Sequence, residues 1–423
     1  MTNQTKNIPT LRFPEFDSVW KITTIENLFD FKNGLNKEKK YFGYGTPIVN
    51  FKDVFNNRGI ITNNLSGKVD VTEKELENYS VEKGDVFFTR TSEVIEEIGY
   101  SSVIMDDPKN TVFSGFVLRA RPKKGIDLIS NKFKRYVFST HSFRKEMITK
   151  SSMTTRALTS GTAINKMQII YPKSFSEQQK IGEFFSKLDQ QIELEEQKLA
   201  KLEEKKKGYM QKIFSQELRF KDENGNEYPE WTKMKLGNLG TTFTGLSGKT
   251  KEDFGHGDAK FITYMNVFKN TIAKLEMTTK VDVKDNERQS KVEYKDILFT
   301  TSSETPNEAG MSSIWLYKSE NMYLNSFCFG FKVNYKDIEP IYLARYLRSE
   351  DMRKRITVLS QGSTRFNISK REMMQLTIDF PIIEEQIKIV KFLDKFEVLI
   401  EKQDQKINGL QNRKKGLLQK MFV

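Results

Sequence analysis

The chain is poor in the residues that would give it a chemistry of its own. A single cysteine, Cys328, excludes an internal disulfide and suits a reducing cytoplasm; its place in the apolar run SFCFGF reads as a small buried hydrophobe. The two histidines, His141 and His256, form no metal-ligand spacing with it and read as surface or structural residues, so no metal site is expected. No run approaches the roughly 20 apolar residues that a membrane helix needs, and the polar start MTNQTKNIPTLRF lacks an apolar signal core, so a cytoplasmic location is expected. Glycine-rich dinucleotide fingerprints and NPPY-type amino-methyltransferase motifs are missing. SGKT at 247–250 ends like a phosphate loop, but Phe243 stands where the first glycine is required. Carboxylate and lysine pairs such as Glu38 with Lys40 recur by chance in a chain that is 30% charged. No catalytic residue is expected.

What is present is size, positive charge and repetition. The 423 residues, 37% hydrophobic and 12% aromatic, can bury more than one core. A net charge of +13 favours a polyanionic partner, nucleic acid before an anionic membrane, though solubility alone is the bland reading.

The stretch EQQKIGEFFSKLD at 177–189 returns as EQIKIVKFLDKFE at 385–397, and the same 208-residue offset continues without a gap to the C-terminus. Repeats take precedence over other readings. Placing Phe185 at a heptad a position gives an apolar series through Phe185, Leu188, Ile192, Leu199 and Leu202, matched in the second copy by Leu393, Phe396, Ile400, Ile407 and Leu410. Both series are interrupted at the same places, by Glu195 and Gln403 and by Lys206 and Lys414, as coiled coils fix register. Each helix is therefore expected to pair with the other, about 40 residues making a rod of roughly 60 Å. The alternative is an amphipathic helix lying on its own domain. Pro172 and Pro381 precede the helices, and Ser176 with Gln179 has capping-box spacing. Gly208 and Gly416 suggest close backbone approach or a kink.

The repeat extends upstream. WKITTIENLFDFKNGL (20–35) lies over WTKMKLGNLGTTFTGL (231–246), GDVFFTRTSE (84–93) over KDILFTTSSE (295–304), and TTR (154–156) over STR (363–365). Each half is thus a globular domain followed by a helix: 1–173 then 174–217, and 218–381 then 382–423. The fold class is α+β. Period-two runs at 86–88, 116–120, 297–299 and 327–333 read as strands, with one amphipathic helix in each half around 127–149 and 337–357. A duplicated unit with paired helices implies a pseudo-two-fold axis. An axis crossing the helices makes them antiparallel, the arrangement preferred here; one running along them sets the domains side by side.

A variable domain ending in TR, then a Pro, then an EQ-initiated long helix, all occurring twice, resembles the specificity subunit of type I restriction-modification systems. That resemblance implies two target recognition domains on double-stranded DNA, each reading half of a split sequence, with the paired helices setting the unread gap. It also implies docking of two methyltransferase subunits and of restriction and translocase subunits. These partners, not this chain, would use S-adenosylmethionine, ATP and magnesium. Lys295 in place of Gly84 and Thr301 in place of Arg90 are departures between the copies.

DNA contact calls for basic, hydroxyl and aromatic side chains at loop positions. Candidates in the first half are Lys37, Lys39, Lys40, Tyr41, Arg90, Ser92 and Arg156; in the second, Lys249, Lys251, Thr301, Ser303, Gln361 and Arg365. Arg156 and Arg365 recur, so they suit backbone contact or domain anchoring. Arg90 against Thr301 differs, as a base reader should if the half-sites differ. A coiled-coil scaffold with nonspecific nucleic-acid affinity is the competing reading, and a nuclease or methyltransferase the third.

Overall fold

A computed structural model describes residues 7–126 and 128–423. The first residues of the polar N-terminal stretch and residue 127, where the first amphipathic helix was expected to start, lie outside the described residues. The chain divides into two compact units, one made of 1–197 and 405–423, the other of 198–404.

In unit 1, alternating apolar residues build a five-stranded sheet in the order Phe29–Asn33, Val117–Pro122, Val86–Thr89, Ser101–Ile104, Gly59–Ile60. Val86–Thr89 is buried along its whole length, as a central strand covered on both faces must be. A second sheet joins Lys68–Val69, Phe42–Val49 and Val112–Phe113, and a third joins Ser152–Met153, Ala157–Leu158 and Thr91–Ser92. Unit 2 repeats the plan with Gly240–Thr244, Cys328–Val333, Ile297–Thr300 and Ser312–Ile314. The register is conserved too: Val117 faces Thr89, and Cys328 faces Thr300.

The single amphipathic helix expected in each half is two. Asn131–Val137 is followed by His141–Lys150, and Pro340–Tyr346 by Glu350–Val358. The breaks have a local cause, because Thr140 and Ser349 adopt extended backbone and accept hydrogen bonds from the N–H of Phe143 and Met352, capping a new helix each time.

The long helices run Phe175–Phe214 and Ile383–Met421. Ser174, not Ser176, caps the first, accepting from the N–H of Glu177 at 3.3 Å; Ser176 already lies inside the helix. The pairing is antiparallel within each unit. In unit 1, Asp189 meets Lys414 and Glu195 meets Lys406 at 3.0 Å, so numbers rise on one helix as they fall on the other, and Glu196 meets Gln411 at 3.2 Å between them. In unit 2, Lys206 meets Glu397 at 3.0 Å and Tyr209 packs on Phe392 and Phe396 at 5.2 and 5.5 Å. Three of the four polar interruptions thus carry ion pairs between helices. The ten apolar positions from Phe185 to Leu410 are all buried or half-buried. Lying on the domain and pairing with the other helix are compatible: Ile181 and Phe185 join Trp20, Phe133, Tyr136 and Phe422 in one core, and Leu393 joins Phe214, Trp231 and Tyr342 in the other. A side chain added at Gly208 or Gly416 would meet open space, so close backbone approach does not explain either glycine.

The repeated EQ dipeptide locks helix to domain. The Arg12 guanidinium donates twice to the buried Glu177 carboxylate at 2.7 and 2.8 Å, and Arg219 does the same to Glu385 at 2.9 and 2.7 Å. Gln178 donates to the carbonyls of Leu128 and Pro172 and accepts from the N–H of Ser130; Gln386 does so with Asp337, Pro381 and Glu339. Each amide therefore closes backbone groups that burial would otherwise leave unpaired.

Candidate nucleic-acid interface

The sequence-predicted residues fall in several loops, turns and short strands of the two units, and the structure sorts them into holders and projecting groups. Arg90 follows Val86–Thr89; its N–H donates to the carbonyl of Phe116 and its carbonyl accepts from Thr159. That pins the backbone while the half-buried guanidinium makes no hydrogen bond or ion pair among the described residues. It lines a cleft of about 490 Å3 with Asp30, Lys32, Lys123 and Thr162. At the same place in unit 2, Thr301 spends its hydroxyl on the Phe327 carbonyl at 2.8 Å. Phe116 and Phe327 are themselves exposed, at 65% and 56%. One frame therefore offers a free cation in one unit and a satisfied hydroxyl in the other.

Ser92 and Ser303 turn the chain. Ser92 is buried and accepts from the N–H of Val94, whereas Ser303 donates to Glu308 and accepts from Thr305. Arg156 and Arg365 sit in equivalent exposed loops beside short strands. Arg156 pairs with Glu93 at 2.9 Å across open surface, a contact worth little in water. Arg365 has no partner among the described residues and lines a pocket of about 470 Å3 with Tyr264, Phe268 and Phe327. Gln361 is exposed, its amide on Glu372 at 3.3 Å.

Lys37 and Lys249 are engaged inside their own units. Lys37 pairs with Glu75 at 2.7 Å, donates to the Asp70 carbonyl and lies 4.8 Å from the centre of the half-buried Tyr41 ring. Lys249 pairs with Glu287 at 2.6 Å and holds that carboxyl down to about 2, helped by Gln289. The outward-facing lysines are Lys39, Lys40 and Lys251.

No cluster of histidine, cysteine, aspartate and glutamate able to hold a metal occurs among the described residues, and no described helix is long and apolar enough to cross a membrane. Cys328 is buried, and burial pushes its thiol well above the ordinary range. Sequence reasoning passed over Arg12 and Arg219, although LRF at 11–13 and 218–220 repeats beside them.

Two versions of one loop frame, each bound to a stretch of the same helical pair, define a duplicated recognition protein. A family model for the type I restriction modification DNA specificity domain matches residues 17–204 and again 228–412. A Methanocaldococcus jannaschii protein carrying the name type I restriction enzyme MjaX specificity subunit is 23% identical over 436 residues, covering 98% of this chain and 95% of that protein. The S subunit of a type I restriction-modification system from M. genitalium shares the fold with a TM-score of 0.52 at 16% identity, over 98% of this chain and 99% of that one. A chain from a structure of type I system assembly and conformational transition gives 0.60 at 14%, over 95% and 97%. The chain belongs to the type I restriction-modification DNA specificity family and carries two of its domains.

Proposed function

We propose that this chain is the noncatalytic subunit that reads a bipartite DNA sequence for a type I restriction-modification complex. Residues 1–173 read one half-site and 218–381 the other, while the helices at 174–217 and 382–423 set the gap and dock two methyltransferase subunits and the restriction and translocase subunits. S-adenosylmethionine, ATP and magnesium are used by those partners in the cytoplasm.

The observation that carries the reading is the recurrence of one frame with divergent side chains, Arg90 against Thr301, in a chain whose two halves both match a DNA specificity domain. Phosphate contacts orient a reader without choosing sequence, whereas choice needs groups that reach base edges. The exposed Lys39, Lys40, Lys251, Arg156 and Arg365 suit the first task, and Arg90 suits the second. The test is base-by-base mapping of DNA methylation in cells with and without this gene, with the methyltransferase partner expressed in both. Disappearance of one methylated motif made of two short parts around an unread gap is the expected result. If the gene's removal erases no motif, the chain is a scaffold instead.

A further inference from the structure

Both units contain a related four-residue sequence: FGYG at 42–45 and FGHG at 254–257. They occupy the same place, at the start of the strands Phe42–Val49 and Phe254–Ile262, directly after the short helical turns Lys39–Tyr41 and Lys251–Asp253. In each unit the pairing slips there. Phe42 and Thr46 both face Val69, and Phe254 and Ala259 both face Val281, so the residues between leave the ladder as a bulged tip.

The tip is held in a similar way in the two units. All four glycines have left-handed backbone, φ 106 and 86 at Gly43 and Gly45, 91 and 88 at Gly255 and Gly257. A side chain at the second glycine of either tip would press on the neighbouring strand, 2.8 Å from the Val69 carbonyl oxygen or 2.7 Å from that of Val281. The Tyr41 carbonyl accepts from Asp70 and the Asp253 carbonyl from Asp282, both at 2.8 Å. The ion pairs of Lys37 with Glu75 and Lys249 with Glu287 brace the two frames alike. The tips also differ: the unit 2 bulge is one residue longer, carrying Asp258, and Asp253 caps its turn from the place that Tyr41 holds in unit 1, while the side chain between the glycines is Tyr44 in one and His256 in the other. Tyr44 is 53% exposed, His256 is exposed, and neither makes a hydrogen bond among the described residues.

We infer that Tyr44 and His256 are specificity-determining residues, each reaching a base edge in the major groove of its own half-site. This inference rests on the bipartite-reader function proposed above. The left-handed glycines let the chain leave the ladder and return within a few residues, which puts the side chain between them at the tip, and the exposed Lys39, Lys40 and Lys251 beside it suit flanking phosphates. A phenol offers a hydroxyl donor and acceptor with an apolar ring for a thymine methyl; an imidazole offers one ring donor and one acceptor. Similar frames with different tips are what two different half-sites call for.

The test measures competition binding by the chain complexed with its methyltransferase, on duplexes carrying both half-sites or a single mismatch in one of them. Tyr44→Ala should reduce discrimination against at least one mismatch in the first half-site by about 10-fold and leave the second unchanged, and His256→Ala should do the converse. The reciprocal Tyr44→His should shift the preferred base rather than only weaken the choice. Unchanged discrimination in both half-sites, or equal losses on matched and mismatched duplexes, overturns the inference while wild-type discrimination leaves the bipartite reading intact. A wild-type complex that discriminates in neither half-site overturns both.

Discussion

In unit 1 the buried Asp85 carboxylate receives both arms of the Arg121 guanidinium at 2.8 Å, besides the N–H of Glu82. Unit 2 has lysine at the arginine's place. Lys332 turns to the exposed Glu293 at 2.8 Å, leaving Asp296 with the N–H of Glu293 at 2.7 Å and a carboxyl that burial pushes up to about 6. A guanidinium can serve a buried carboxylate with two parallel bonds and still reach Glu82; an ammonium is a point charge that must choose. A second difference follows the same line. Trp20 donates its indole N–H to Glu177, while the indole nitrogen of Trp231 is buried without a partner. The two units thus share a backbone design, but at these two places unit 2 lacks hydrogen bonds that unit 1 makes, so divergence has reached the frame as well as the reading surface.

The largest expected effect comes from the clamp that both units keep. Removing the arginine strands a buried carboxylate, a loss of about 3–5 kcal/mol. Arg219→Ala should cost more than Arg12→Ala, because Glu177 retains the Trp20 donor and Glu385 has no equivalent indole bond. Hydrogen exchange resolved by unit checks this, and equal losses would erase the asymmetry.

The Asp296 carboxyl gives the next effect. Its folded value of about 6 lies above the ordinary 3.8, so the native state holds the proton more tightly than the unfolded chain. The contribution is fully present below 3.8 and is lost as pH rises through about 6, up to about 3 kcal/mol in all. The difference between wild-type and Asp296→Asn unfolding curves over that window should show this slope, and Lys332→Arg should flatten it.

The smallest effect concerns one backbone position. Gly84 and Lys295 occupy the same left-handed turn, with φ of 86 and 70, and only the lysine has a Cβ to strain there. Lys295→Gly should gain about 1 kcal/mol from the turn, reduced by the lost ion pair to Glu339 at 2.9 Å. Urea midpoints of the two proteins decide it, and a net destabilisation would show that the ion pair outweighs the strain.

The duplication, the α+β class, the strands and the paired helices were legible because they rest on periodicity and on resemblance between the two halves. The EQ dipeptide was legible as a repeat but not as a lock, since its partners Arg12 and Leu128 lie far away in sequence. The same distance hid the fates of Lys37 and Lys249, which looked like free cations until Glu75 and Glu287 were placed beside them. The helix breaks at Thr140 and Ser349 were readable in principle, because a hydroxyl three residues before an apolar position is a cap signal. For the candidate interface, sequence could nominate residue types at loops. It could not tell a pinned side chain from a projecting one, which is the distinction that separates Ser92 from Arg90.

The most direct measurement of the central claim, one reader for each half-site, is base-by-base methylation mapping in cells carrying Arg90→Ala beside cells carrying Arg156→Ala. Arg90→Ala should relax one half of the motif by about 1–3 kcal/mol and spare the other, while Arg156→Ala should lower methylation at all sites alike. Relaxation of both halves together by Arg90→Ala would contradict that claim.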